Sequence, residues 1–570
     1  MIQKEWVIAP PSPAENLHRY KDISPILAQI LFNRGFENAD DAHRFLYEKD
    51  LNDDPYMMKD MDKAVKRISS AIKSKEPIVV YGDFDADGVT STTLMVQVLK
   101  ALGADVTPYI PDRVEEGYGL NTPALENLAE QGKKLVITVD CGIRSVDDVI
   151  AGMEAGLDII VTDHHSVGPE IPPALAVINP QQKDCKGNTK LAGVGVAFML
   201  AQALLLHRRR TDRKNYPNIR LSDLLDLVAI GTVADIMELN AGLNRRLVTH
   251  GLNTINEMRR PGIRALAKVV SLTPGKITAM DIGFGLGPRI NAAGRLKSAM
   301  IAFNLLSAQT EDEAMQYAEE LQKLNVLRQK LTREAQAAIS DQIADLDDVS
   351  LIFAGDERFQ PGIVGLVAGR LAEEYYRPSV VLEIGEEQSR ASCRSIPEFN
   401  ITHALDECAD LLVRHGGHAI AAGFTVDNAN IDRLKKELQQ RAKDALEGRD
   451  LVRTLHLDAE INVNDLNEAL VHELMILEPT GHENRPAAFI SRNVRIVECR
   501  TVGADDKHLK LKIARTGQEP LDSIGFGLGE WAKQMPQIID VAYHLEMNEW
   551  RGRQSLQMRL LDIRPAEVHA

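Results

Sequence analysis

Cysteine is scarce in this 570-residue chain: the five present, Cys141, Cys185, Cys393, Cys408 and Cys499, are odd in number, widely scattered and form no CxxC pair. That spacing gives no ground for a zinc or redox site, and the thiols are expected to be reduced. Long apolar runs are missing too. None approaches the roughly 18 residues that cross a bilayer, and the opening Met1-Ile2-Gln3-Lys4-Glu5-Trp6 lacks a signal-peptide pattern, so a cytoplasmic location without membrane contact is expected. Positive charge is in deficit, with 82 acidic against 66 basic residues and a net charge of −16. The deficit argues against a protein that coats nucleic acid by overall attraction; any polyanion has to meet a local basic surface. Apolar residues at 44% and charged residues at 26% are the proportions of a soluble globular protein, and the length allows roughly three or four domains.

What is abundant, locally, is carboxylate. After the apolar run Ile78-Val79-Val80, the stretch Gly82 to Gly88 carries Asp83, Asp85 and Asp87 at alternate positions. Carboxylates so close repel one another, and at the end of a buried strand they need a cation or hydrogen-bond donors. Hard divalent ions such as Mg²⁺ and Mn²⁺ suit oxygen ligands. An EF-hand loop is the rival metal reading, but its twelfth position is Leu94 instead of a bidentate Glu, and the preceding segment reads as a strand. A metal-free structural turn is the other alternative.

From about residue 76, apolar runs of strand length alternate with amphipathic stretches, which predicts an α/β fold with a parallel sheet. The runs are Ile78–Val80, Leu135–Val139, Ile159–Val161 and Ala176–Ile178; Thr122-Pro123 and Ser145 with Asp148 predict helix starts. The first run leads into Asp83, the second ends at Asp140, and the third ends at Asp163-His164-His165. Ligands gather at the carboxyl ends of strands in such sheets. Leu224–Ala234, a helix or a strand by its pattern, leads into Asp235. Together Asp83, Asp85, Asp87, Asp140, His164 and Asp235 supply oxygen ligands and one imidazole, enough for two Mg²⁺ or Mn²⁺ ions sharing a carboxylate. Hydrolysis of a phosphoester or phosphoanhydride is the expected reaction class.

The stretches GDFDADG (82–88), TVD (138–140), DHH (163–165) and GTVAD (231–235) resemble the four motifs of the DHH phosphoesterase family. Residues 111–120, 191–198 and 288–296 are similar to those of its bacterial single-strand-specific exonucleases, and the likeness runs from about residue 76 to the end. The resemblance implies that Asp85, Asp87, Asp140, His164 and Asp235 are metal ligands and that Asp83 is a ligand or orients one. It places His165 beside the scissile phosphate and makes Asp163 an orienting acid, so that Asp140, Asp163, His164 and His165 form the catalytic set.

Between about 305 and 347 an apolar stripe (Ala318, Leu321, Leu324, Leu331, Ala335, Ile339, Ile343, Leu346) without internal Gly or Pro predicts a long connecting helix. A second α/β unit follows at 348–450. In it Ser392 and Arg394 alternate on one strand face, and the Gly-Gly of His415-Gly416-Gly417-His418 is either a close approach to phosphate or a plain turn. Both stretches resemble substrate-binding motifs of the DHHA1 domain. That likeness implies that Arg113, Ser392 and Arg394 hold the 5′ phosphate, that His418 approaches the reacting nucleotide, and that Arg289 and Arg295 contact the backbone. The pair Phe359-Gln360 departs from the Trp-His common there, and Thr480, Glu483 and Arg485 depart from the family pattern at the entry to the last domain.

Residues 455–565 turn to short alternating strands, which suit a small barrel, and put Lys510 and Lys512 on one face. By resemblance this is an OB-fold that grips single-stranded nucleic acid. The basic run His207–Lys214 is expected to be a solvated surface loop. The fold expected is thus α/β: a parallel-sheet DHH domain (76–304) behind an N-terminal helical cap (1–75), joined by the long helix (305–347) to a smaller α/β DHHA1 domain, plus a C-terminal β-barrel. The family likeness implies a single-stranded-DNA 5′-to-3′ exonuclease of recombination and repair, with single-strand binding protein and a RecQ-type helicase as partners. A phosphodiesterase of short oligonucleotides or cyclic dinucleotides, and a Cdc45-like replication scaffold without metal, are the alternatives.

Overall fold

The computed structural model describes residues 4–13, 20, 23–188, 190–240, 242–341, 343, 349–550 and 552–566. It divides into two units, one built from the residues up to Glu48 together with those from Val452 onward, the other from Lys49–Leu451. The expected cap over 1–75 is therefore not one element. Strand β1 (Lys4–Ile8) pairs in parallel with Arg453–Leu457. Helices α1 (Pro25–Asn33) and α2 (Ala39–Tyr47) bury Leu27, Leu31 and Phe45 in one core with Phe489 and Tyr543. The helix Met61–Ser74 instead packs Met61, Val65 and Ile68 into the core of the central unit. Each helix follows the surface that completes its apolar face, not its neighbours in sequence.

In the central unit, β2 (Ile78–Gly82) is followed by helix α3 (Ala86–Ala101), and then come β3 (Val106–Tyr109), β4 (Leu135–Val139), β5 (Asp158–Thr162) and β6 (Ala176–Ile178). They form a parallel sheet in the order β3-β2-β4-β5-β6. β2 and β4 are buried at every residue, which is why they read as unbroken apolar runs. The edge strand β3 contains Thr107 and Pro108, and its pattern escapes sequence reading for that reason. Ser145 makes no capping bond; Asp148, its expected box partner, accepts from the Thr122 hydroxyl instead. Helix α4 (Gly193–Thr211) absorbs most of the basic run expected to be a loop, with Arg208 bonded to Asp212 and to the Leu102 carbonyl. Leu225–Ala234 is a buried helix, α5.

Helix α6 (Gly287–Leu296) and helix α7 (Glu311–Ser340) lead out of this domain. α7 starts later than expected because Thr310 caps it, its side chain accepting from the Glu313 amide, and three acids fill the first turn. Leu346 and the far end of the expected 305–347 element lie outside the described residues. Strand β7 (Ile352–Asp356), helix α8 (Pro361–Tyr375), β8 (Ser379–Glu383), β9 (Gln388–Arg394), β10 (Leu412–His418) and β11 (Ala421–Asp427) form the smaller α/β domain, with sheet order β10-β11-β9-β8-β7.

In the other unit, β12 (Arg453–Leu457) is the partner of β1, and β13 (Phe489–Val502), β14 (His508–Ile513), β15 (Leu521–Gly525), β16 (Ile538–Trp550) and β17 (Arg553–Pro565) close into a barrel. β13 pairs with both β14 and β16, β15 pairs in parallel with β17, and β17 pairs with β16, so no barrel strand is left with a bare edge. Its core is centred on Phe489 and Tyr543. All three tryptophans, Trp6, Trp531 and Trp550, fall in this unit. Phe489→Ala, a large truncation at a fully buried site, is expected to lower the stability of this unit by about 3–5 kcal/mol. Denaturant unfolding followed by tryptophan fluorescence, which reads this unit selectively, measures the shift.

Candidate active site

The three aspartates after β2 occupy different environments. Asp85 caps α3, its Oδ1 accepting from the amides of Asp87 (2.9 Å) and Gly88 (3.1 Å). Asp87, one residue into the helix, accepts from the amides of Gly193 (2.7 Å) and Val194 (2.8 Å) at the start of α4. Asp83 is buried, and its Oδ1 has no hydrogen-bond partner. Asp140 directly follows β4 with φ +64°, a left-handed conformation that an aspartate tolerates at some cost and that recurs at functional sites. Close packing requires glycine at two neighbouring positions. A Cβ at Gly193 would come within 2.4 Å of Asp140 Oδ1, and one at Gly231 within 2.6 Å of Asp87 Oδ1.

The His164 imidazole lies among the acids, its Nε2 3.2 Å from Asp140 Oδ1, 3.5 Å from Asp235 Oδ2 and 3.9 Å from Asp87 Oδ2. The triads Asp83/Asp85/Asp140 and Asp87/His164/Asp235 each converge to within 4.8 Å, as does Asp140/His164/His165. Asp140 therefore stands between the two halves of the site, and Asp83 belongs with Asp85. Burial, reinforced by the neighbouring carboxylates, pushes Asp83 and Asp140 well above the carboxylate range, Asp87 up to about 7 and Asp235 up to about 9. His164 is driven the other way, to about 4, by burial and by the charge of His165. Asp83 Oδ1, Asp140 Oδ1 and His164 Nε2 are all buried without a hydrogen-bond partner. Orphaned oxygens and one imidazole nitrogen, with carboxyls that resist ionising together, fit divalent cations.

Asp163 does a different job. Its Oδ2 accepts from the Ile143 amide (2.9 Å), and its Oδ1 accepts from the amides of His164 (2.7 Å) and His165 (3.1 Å) and lies 2.7 Å from His165 Nδ1. Burial alone would raise this carboxyl, but the bond to His165, its charge and the amides outweigh it and hold the group below its ordinary range. Asp163 thereby fixes both histidines after β5. Half-exposed His165 also has the Tyr118 hydroxyl 3.1 Å from its Nδ1.

Beside the acids lies a cleft of about 620 Å³ that joins the two α/β domains. Arg113, Arg295, Ser392 and Arg394 line it, as do Phe84, Tyr118 and the N-terminal turn of α8, which no side chain caps. Arg113 stacks over the Phe84 ring at 4.5 Å, Arg295 donates to the Gly362 carbonyl, and Arg394 donates to Ser392 Oγ (3.1 Å). Burial and then mutual repulsion with Arg113 and Arg328 push Arg295 down to about 9. Crowded cations at an open helix N-terminus suit an anion with several oxygens.

Not every sequence-derived residue converges here. His418 is exposed at the end of β10, outside the cleft lining, whereas His415 is in it. Arg289 is outside that lining too, held by Gln322 and the Gly285 carbonyl on the opposite part of α6. Lys510 and Lys512 face outward from the barrel but lie 3.8 Å from Asp522 and 3.6 Å from Glu498, so acids on the same surface offset much of their charge. Phe359 is buried, and Gln360 precedes α8. Sequence reasoning assigns no role to Asn291, whose Oδ1 accepts from the Ala86 amide (2.7 Å) beside Asp85, or to Tyr118. Asn291 lies between the two arginines of 288–296, the one signal that could have marked it.

Residues 77–232 match the DHH family, N-terminal domain, residues 348–444 the DHHA1 domain and residues 457–562 the RecJ OB domain. The chain is 38% identical over 566 residues to the single-stranded-DNA-specific exonuclease RecJ of Bacillus subtilis, covering 98% of this chain and 69% of that protein. It is 34% identical to the RecJ exonuclease of Salmonella typhimurium, covering 95% of this chain and 96% of that one. A crystal structure of RecJ from Thermus thermophilus in complex with Mn²⁺ superimposes with a TM-score of 0.84 at 30% identity, covering 99% of this chain and 80% of that chain.

Asp163→Asn exchanges an acceptor of four donors for a group whose amide confronts them. It is expected to weaken Mn²⁺ binding by about 10–100-fold, read by calorimetric titration of the apoprotein; unchanged affinity would show that the histidines hold their positions without it.

Proposed function

The chain belongs to the RecJ family of exonucleases, and from that premise we propose that it hydrolyses phosphodiester bonds of single-stranded DNA from the 5′ end, in recombination and repair. The single observation that carries the reading is the juxtaposition of two acidic triads, joined at Asp140 and His164, with the arginine-lined cleft. Asp83, Asp85 and Asp140 would hold one divalent ion and Asp87, His164 and Asp235 the other, with Asp140 next to His164 where the two groups meet. Mg²⁺ or Mn²⁺ bound there lowers the pKa of water and neutralises charge on the phosphoryl oxygens.

The chain's own residues supply the positioning. Arg113, Ser392 and Arg394 receive the terminal 5′ phosphate, and Arg295 completes the cationic wall. Asp163 keeps His165 turned toward the scissile phosphate through the bond to Nδ1. The cleft between the domains admits a single strand and excludes a duplex. The barrel binds single-stranded DNA through Lys510 and Lys512, and His418 approaches the reacting nucleotide when the β10–β11 hairpin meets substrate.

Two rivals are disfavoured by specific features. A phosphodiesterase of short oligonucleotides or cyclic dinucleotides has no need of the barrel, and a metal-free scaffold has no need of intact acids at Asp85, Asp87, Asp140 and Asp235. Among the described residues no helix is long and apolar enough to cross a membrane. The enzyme works in the cytoplasm, supplied with single strands by a RecQ-type helicase and by single-strand binding protein.

Single strands labelled at the 5′ or the 3′ end, and a blunt duplex, separate these readings when incubated with Mg²⁺, Mn²⁺ or chelator. The expected result is early release of the 5′ label from single strands alone, abolished by chelator; first release from the 3′ end, or equal attack on duplex, overturns it. Asp140→Ala is expected to lower the rate by at least about 1,000-fold, since it disrupts both metal positions, while single-strand binding measured by fluorescence anisotropy persists.

A further inference from the structure

Two side chains, one directly after Asp235 and one in the turn that leads into α6, break ordinary rules of burial and backbone conformation. Phe284 is 81% exposed, the most exposed of the large apolar side chains among the described residues. It belongs to a π-helical turn, Ile282–Leu286, whose other large side chains, Ile282 and Leu286, are fully buried. The turn is thus anchored in the core and holds one aromatic ring out in solvent. Such turns recur at functional sites. Ile236, immediately after Asp235, is 67% exposed and has φ +57°. A β-branched residue in the left-handed region is a genuine outlier, and its apolar side chain is gaining nothing from burial.

Both features adjoin α6, which runs alongside the site. Near its C-terminal end Arg295 lines the phosphate cleft. In its middle Asn291 holds the Ala86 amide beside Asp85, and Gly294 lies against the Phe84 carbonyl. At its N-terminal end Gly287 touches Ala234, the residue before Asp235, and Gly283 of the π turn lies by Val233. Ten helical residues span about 15 Å, so the helix carries a cationic end, a metal-flanking middle and an apolar end in that order. Arg289, on the apolar side of the middle, is braced by Gln322 of α7 and the Gly285 carbonyl. A strand whose 5′ phosphate occupies the cationic end and whose scissile bond lies at the acids has to continue over the apolar end.

We propose that Phe284 and Ile236 form a base-contact step for the nucleotides on the 3′ side of the cut, with Phe284 stacking on a base, Ile236 packing against its neighbour and Arg289 meeting the phosphate between them. The proposal rests on the exonuclease reading and deepens it by assigning where the uncut strand runs. Every base offers a π face, so the step holds single strands without regard to sequence. A base-paired strand has its faces already stacked and cannot use the step, which makes these residues determinants of single-strand specificity.

The test compares wild type, Phe284→Ala and Phe284→Trp on 5′-phosphorylated single strands, from a dinucleotide to about a dozen nucleotides. The dinucleotide places a single nucleotide on the 3′ side of the cut, at Ile236 directly after Asp235, and does not extend to Phe284. Phe284→Ala is expected to raise KM about tenfold on the longer strands, to leave the dinucleotide unaffected and to retain wild-type Mn²⁺ affinity, while Phe284→Trp restores KM. In wild type, an abasic nucleotide moved along the strand is expected to reproduce the loss at one position and to add nothing to it in Phe284→Ala. A KM unchanged at every length, or raised equally on the dinucleotide, overturns the proposal. If wild type itself fails to shorten single strands from the 5′ end, the exonuclease reading falls, an outcome that the length series in the variants cannot mimic.

Discussion

Mutual repulsion of buried carboxylates is the constraint from which the central unit takes its form. Asp83, Asp85, Asp87, Asp140 and Asp235 arrive from three strand or helix ends and converge with His164 in one place. Coulomb repulsion in a partly desolvated site is severe. The fold answers in two ways. It spends backbone amides, from the start of α3 on Asp85 and from the start of α4 on Asp87. It leaves Asp83 Oδ1, Asp140 Oδ1 and His164 Nε2 without a hydrogen-bond partner. The first answer makes the site rigid, and the second makes it a receptor for cations. A protein that only needed a stable sheet edge would place apolar or neutral residues there, as the buried interior of β2 and β4 already does.

Opposed to this acidic half is a cationic half assembled from both α/β domains, and α6 connects them. Because Asn291 and Arg295 lie one helical turn apart on α6, the spacing between the acids and the phosphate cleft is set by a helix, not by a hinge. The DHHA1 domain contributes Ser392 and Arg394 from β9 and an uncapped helix N-terminus from α8, so neither domain alone holds a complete cleft. The excess of acid over base in the whole chain is compatible with a polyanionic substrate because cations are concentrated in this one wall.

The acidic half was legible from sequence because its residues follow apolar runs at strand or helix ends, where local pattern and chemistry coincide. The Asp triplet, Asp140, the Asp163-His164-His165 run and Asp235 all have that property. Features that depend on distant partners were not legible. Nothing near Lys510 or Lys512 in sequence announces Asp522 or Glu498 across the barrel, and nothing near Ala86 announces Asn291. The strand β3 was hidden by its proline, and the helical nature of Leu225–Ala234 by burial on all sides, which erases periodicity. The division of the first 75 residues was hidden because β1 finds its partner some 450 positions away.

That last pairing bears on how the chain is made. A ribosome releases the residues up to Glu48 first, yet the strand that β1 needs begins at Arg453. With synthesis at roughly 5–20 residues per second, the leading segment waits on the order of 20–80 seconds for its partner while the central unit, contiguous in sequence, is free to fold. The helices α1 and α2 spend that interval without the Phe489 and Tyr543 core that covers their apolar faces in the finished unit.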